Sequence, residues 1–177
     1  MKSILRYTAA GLALATVGFA SNASAADGTA TVSAQILDNL QLTSTTGLNF
    51  GSITAPANLA ANAAVTVSAA AAPTVSCAAT LTSCAGTRTA AAFTVGGFPS
   101  QNVNVTVLDA TIQLDRGAAL GTMERYMDVN AFTTSSGTVA LSAAGAGSFY
   151  VGGTLSVRPN QAPGVYVGSV NVRVNYN

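Results

Sequence analysis

The chain has 177 residues, 49% hydrophobic and only 7% charged, with seven Lys and Arg against six Asp and Glu, and neither His nor Trp. With no His, and with the sole lysine, Lys2, in a leader read below as cleaved, the mature chain lacks the usual nitrogen bases for catalysis near neutral pH, so Ser-His-Asp and Ser-Lys hydrolases are excluded. A charged fraction so far below the roughly 25% of ordinary soluble domains implies a surface of Ala, Thr, Ser, Asn and Gly that suits association, with no basic patch for nucleic acid or anionic lipid.

Residues 1–25 read as a cleaved signal peptide for bacterial Sec export. Lys2 and Arg6 supply the basic start, residues 9–20 form an apolar core too short to span a bilayer, and Ala23-Ser24-Ala25 fits the small-x-small cleavage rule. No second apolar run of spanning length follows, so no membrane insertion is expected after cleavage. The remainder, residues 26–177, is ordinary for one domain and long enough to bury a core. It keeps five arginines against six acids, a net charge of −1.

Short runs of Val, Ile, Thr, Phe and Tyr with period two then recur along the chain. They fall at 48–53, 64–68, 74–77, 89–95, 103–108, 111–114, 126–132, 138–141, 148–157 and 165–176. Gly96-Gly97, Pro99-Ser100, Asp115-Arg116-Gly117, Ser136-Gly137 and Pro163-Gly164 interrupt them. No window makes an amphipathic helix, although the Ala-rich stretch 59–72 has room for a short turn. So many short strands in one domain predict an all-β, immunoglobulin-like two-sheet sandwich.

Cys77 and Cys84, an even pair in an exported chain, are expected to form a disulfide that pins a hairpin or loop. For so short a ring the chain-entropy benefit is about 2–3 kcal/mol. A redox pair would need C-x-x-C spacing at a helix start. Two cysteines without His cannot build a zinc site. Gly145-Ala146-Gly147 lacks the third glycine and the following helix of a phosphate loop, so no cofactor is expected.

Asp109, Asp115, Glu124 and Asp128 are close enough in sequence to meet as a glycosidase-type carboxylate pair, but a chain with 6% aromatics and no Trp offers no sugar-stacking cleft. Solvated or turn positions are the expectation for all four. Calcium binding by them stays open as an alternative, although their spacing matches neither an EF-hand nor a nonapeptide loop.

The two ends of the secreted chain carry amphipathic strand patterns. Near the start Ala30, Val32, Ala34 and Ile36 alternate with Thr29, Thr31, Ser33 and Gln35; at the finish Tyr166, Gly168, Val170, Val172, Val174 and Tyr176 alternate with Ser169, Asn171, Arg173 and Asn175. Periodicity alone favours reading them as the first and last strands of a self-contained sandwich. The other reading is that residues 29–37 pair with a neighbouring subunit by β-augmentation, with Ala30 and Ala34 small enough for a narrow groove.

The stretch Ala30 to Ile36, the element Leu48-Asn49-Phe50-Gly51-Ser52-Ile53, and Gln161-Ala162-Pro163-Gly164-Val165-Tyr166 leading into the last strand carry a family resemblance. Together they resemble secreted sandwich proteins of the spore-coat-U and archaic chaperone-usher pilin kind, and most of all a related group of Ala/Thr-rich exported bacterial domains of unknown function. The resemblance implies a non-enzymatic pilin subunit with an incomplete immunoglobulin-like fold, carried to the surface of a Gram-negative cell by a periplasmic chaperone and an outer-membrane usher, and polymerising with itself. By position, Ala30, Val32, Ala34 and Ile36 would be donor residues, and Val170, Val172, Val174 and Tyr176 the acceptor and chaperone edge. One departure is plain: such pilins commonly carry a cysteine near the first strand, where Leu40 or Leu42 stands here, and Cys77 has only Cys84 nearby. The alternative is a monomeric secreted or outer-surface sandwich that binds a ligand or partner. A sortase-linked pilus is disfavoured, because the mature chain has no lysine and no C-terminal anchor.

Overall fold

Alternation of small or branched apolar residues with Thr, Ser and Asn makes each strand apolar on one face, and the fold follows from burying those faces together. The computed structural model describes residues 28–117 and 125–177. The expected signal peptide and Glu124 lie outside the described residues. Residues 28–35, taken by themselves, carry no strand and are exposed throughout. The compact unit, Ile36–Asn177, is all-β and sandwich-like.

Its strands are β1 (Gln41–Thr46), β2 (Ser52–Thr54), β3 (Ala63–Val67), β4 (Val75–Cys77), β5 (Ser83–Ala85), β6 (Ala91–Gly96), β7 (Asn102–Val107), β8 (Thr111–Asp115), β9 (Tyr126–Thr134), β10 (Thr138–Ala140), β11 (Ala146–Val157) and β12 (Val172–Tyr176). Within the Ala-rich stretch 59–72, β3 answers to the strand expected at 64–68. Among the described residues the strands make three antiparallel sheets, and the fold is the sandwich-like one expected. The largest has seven strands and runs β1-β6-β11-β3-β4, with β9 on β11 and β8 on β9; a second runs β10-β7-β12; and β2 pairs with β5.

The long strand β11 organises the large sheet. Val151 pairs with Ala91 of β6 and Thr134 of β9, while Thr154 pairs with Thr66 of β3 and Asn130 of β9. So β6 and β3 follow one another along one edge of β11, and β9 takes the other. Gly152 sits at the changeover, where a Cβ would stand 2.3 Å from the Val67 carbonyl oxygen, so only glycine lets the chain after β3 come this close. Opposite, β9 bulges: Gly152 faces Thr133 and Thr154 faces Asn130, which leaves Ala131 and Phe132 against Gly153. Ala131 adopts φ 49°, and the Phe132 ring lies over the bare face of Gly153.

One face of β11 feeds both halves of the core. Phe149 and Val151 pack with Ala91, Phe93 and Val95 of β6 and with Val103 and Val105 of β7. Leu155 and Val157 pack with Val65, Val67 and Val129, where Phe50, Leu59 and Leu81 from the loops complete the cluster. Each such buried Val, Leu or Phe contributes roughly 1.5–3 kcal/mol from removal of its apolar surface from water. Cys77 and Cys84 are joined, Cα to Cα 6.4 Å, which ties β4 at the end of the large sheet to β5 of the small one.

Candidate assembly edge

The first half of the core lies between β1, β6 and β11 on one side and β10, β7 and β12 on the other. Phe93 and Val95 of β6, Val103 and Val105 of β7, Val139 of β10, and Phe149 and Val151 of β11 are buried. By contrast Leu40 before β1, Leu42 on it, and Val172, Val174 and Tyr176 on β12 pack against the same cluster but are only half-buried. Both β1 and β12 are edge strands, so the core thins out toward water along the side they flank.

The register of β12 shows which backbone groups lie at that side. Asn171 accepts from the Leu108 amide and Asn177 donates to the Asn102 carbonyl, so odd-numbered residues turn their polar groups toward β7. The alternation of an antiparallel ladder then points the amides and carbonyls of Val172, Val174 and Tyr176 away from it. Among the described residues no strand pairs with that edge. Beside it a surface depression of about 570 Å³ runs between residues 37–40 and residues 174–176.

The Tyr176 hydroxyl spans this side of the sandwich. It accepts a hydrogen bond from the Phe98 amide at 2.7 Å and donates one to the Asp38 carbonyl at 2.7 Å. Gly97 makes the room: a Cβ there would stand 2.6 Å from the phenolic oxygen and 2.8 Å from Leu40 Cδ2. The start of β1 and the end of β12 are thereby fastened to one another.

Residues expected at the two ends fare differently. Val172, Val174 and Tyr176 come together with Leu40 and Leu42. Val170 does not join them, because the strand expected over 165–176 is assigned only over 172–176. The physical reason is a change of sheet: Val167 exchanges backbone hydrogen bonds with Asp115 of β8, whereas Asn171 bonds to Leu108 beside β7, so residues 168–171 cross between sheets and cannot belong to one ladder. The Asp109 carboxylate marks the crossing by accepting from the Asn171 amide at 2.6 Å. Burial still alternates, with Tyr166, Val170, Val172, Val174 and Tyr176 half-buried and Val165, Val167, Ser169, Asn171, Arg173 and Asn175 exposed; only Gly168 breaks the pattern.

Ala30, Val32, Ala34 and Ile36 form no strand and are exposed, Val32 at 92% and Ile36 at 90%. A strand needs a ladder partner to satisfy its backbone, and among the described residues none pairs here. Sequence reasoning missed β1 itself, whose only signal is the two-residue spacing of Leu40 and Leu42 at its start.

The acids form structural pairs. Asp115 receives Arg125 Nε and Nη2, each at 2.7 Å, and the Gly117 amide at 2.8 Å. The Arg125 guanidinium, followed by that amide, holds the carboxyl down at about 2, and Arg125 is raised in return. Arg125 also lies over the Tyr126 ring, 5.0 Å from its centroid. Asp128 pairs with Arg158 and accepts from Gln113 at 3.3 Å. Among the described residues no three of His, Cys, Asp and Glu gather where they could hold a metal ion.

No curated protein and no solved structure matches the chain. A family model does match, over residues 40–176, which spans every strand from β1 to β12. The chain belongs to the family described as a domain of unknown function (DUF4402).

Proposed function

We propose that the protein is a non-enzymatic structural subunit of a bacterial surface pilus or fimbria, assembling by donor-strand β-augmentation. The observation that carries this reading is a complementarity within one chain. The sandwich has a side where two edge strands present half-buried apolar residues, and residues 29–37 offer a strand-length segment with alternating, exposed Ala30, Val32, Ala34 and Ile36. An extended segment added at the β12 edge would pair its backbone with Val172, Val174 and Tyr176 and set every second side chain over the thin part of the core. With this come the finer parts of the resemblance: kinship with spore-coat-U and archaic chaperone-usher pilins, export from the periplasm to the surface, and delivery by a chaperone and an usher. The low charge and the lack of nitrogen bases support a structural over an enzymatic role.

The second reading, a monomeric secreted or outer-surface binding module, is favoured by one feature: residues 37–40, which line the depression beside β12, belong to this chain and run directly into β1. An unboiled denaturing gel of the protein from periplasm and cell surface separates the two, run beside a Val32→Asp/Ile36→Asp variant. Heat-sensitive ladders that the variant lacks support the pilus subunit. Monomer alone in both samples sinks it in favour of the binding module.

A further inference from the structure

We infer that the Tyr176 hydroxyl is a latch that keeps residues 29–37 out of their own acceptor edge and so available to a second copy; this rests on the assembly reading above. The topology makes self-insertion a real competitor. β1 starts and β12 ends beside the latch. A reversal through residues 38–40 would therefore lay the segment between them, antiparallel to β1 and parallel to β12. Nine extended residues reach about 30 Å, more than the roughly 17 Å needed to cover five residues of β12. Asp38 and Asn39 are also residue types that turns favour.

Three observations oppose that reversal. The Asp38 carbonyl is held at 2.7 Å by Tyr176, which itself is held at 2.7 Å by the Phe98 amide, so the Asp38–Asn39 peptide is fixed from two elements. Turning the chain back rotates this peptide and takes its carbonyl off the hydroxyl. Gly97 leaves space for the phenolic oxygen that any side chain would fill. Exposure climbs outward from the latch, from half-buried Leu40 to 37% at Leu37 and 90% at Ile36. Losing one hydrogen bond of this kind shifts such an equilibrium on the order of fivefold.

The test uses the full exported protein and its Tyr176→Phe variant, which keeps the ring in the core and removes only the hydroxyl. Monomer isolated by gel filtration is treated with elastase, and cleavage between residues 29 and 37 is followed by mass spectrometry, with ladder formation measured in parallel. The latch predicts slower cleavage in the variant, by up to about fivefold, and a matching fall in its ladders. Cleavage at the wild-type rate overturns the latch, whatever the ladders do. Wild-type protein that never forms ladders defeats the assembly reading instead, while slowed cleavage in the variant still upholds the latch. Gly97→Ala, which displaces the hydroxyl from the other side, is expected to act in the same direction, and it decides the matter if Tyr176→Phe fails to fold.

Discussion

Phe93 and Phe149 face one another in register across β6 and β11, their rings stacked with centroids 5.2 Å apart and planes 11° from parallel. Both belong to the core half beneath the open side, and Phe149 is 1% exposed. The pair packs across β6 and β11, and β6 carries β1, which in turn borders that side. Phe149→Ala is expected to cost about 3–5 kcal/mol from lost burial and an unfilled cavity. Phe149→Leu, which keeps most of the volume, should cost far less. Denaturant midpoints of the monomer measure both, and equal losses in the two variants would show that the stacked ring itself, rather than buried volume, is what this site supplies.

The Asp115–Arg125 pair sets a direction for acid stability. Asp115 titrates at about 2 in the folded chain against 3.8 for the free side chain. A carboxyl with a lowered folded value adds stability above its unfolded value, and that stability disappears as pH falls from about 4 toward 2. The pair is over a third exposed, so the effect is screened and small. Asp115→Asn should flatten the pH dependence of the unfolding midpoint between pH 4 and 2 while leaving its slope above pH 5 unchanged. A wild-type profile in the variant would assign the acid sensitivity to other carboxylates.

Legibility in the sequence followed from how each strand is specified. β3, β6, β7 and β11 were readable because one face of each is buried, as with Ala91, Phe93 and Val95 against Thr94, so alternation is forced on the residues themselves. β1 has one apolar residue in six, and its strand character comes from pairing with β6, a relationship absent from any local window. β5 is three residues long and is placed by the Cys77–Cys84 bond and by β2. At the C-terminus the alternation was right and the ladder was not, because burial can alternate across a change of sheet while pairing cannot. The same distinction applies at the candidate edge: Val172, Val174 and Tyr176 were legible from spacing, whereas the bond from Tyr176 to Asp38 links positions 138 residues apart.

The bulge at Ala131 supplies the last expectation. An alanine at φ 49° pays roughly 1–2 kcal/mol for a left-handed backbone. Glycine there escapes that strain but loses about 0.5–1 kcal/mol through the greater freedom of the unfolded chain. Ala131→Gly should therefore stabilise by about 0.5–1 kcal/mol, and Ala131→Val, branched at Cβ, should destabilise by more than that. The register also matters: the extra residue carries Phe132 over Gly153, where a Cβ would meet its ring at 3.1 Å. If the bulge is held by that ring rather than by the backbone preference of residue 131, Phe132→Ala will lower the denaturation midpoint more than Ala131→Val does. Identical midpoints for Ala131→Gly and wild type would mean the strain is already relieved by the pairing of Asn130 with Thr154 and Thr133 with Gly152 on either side.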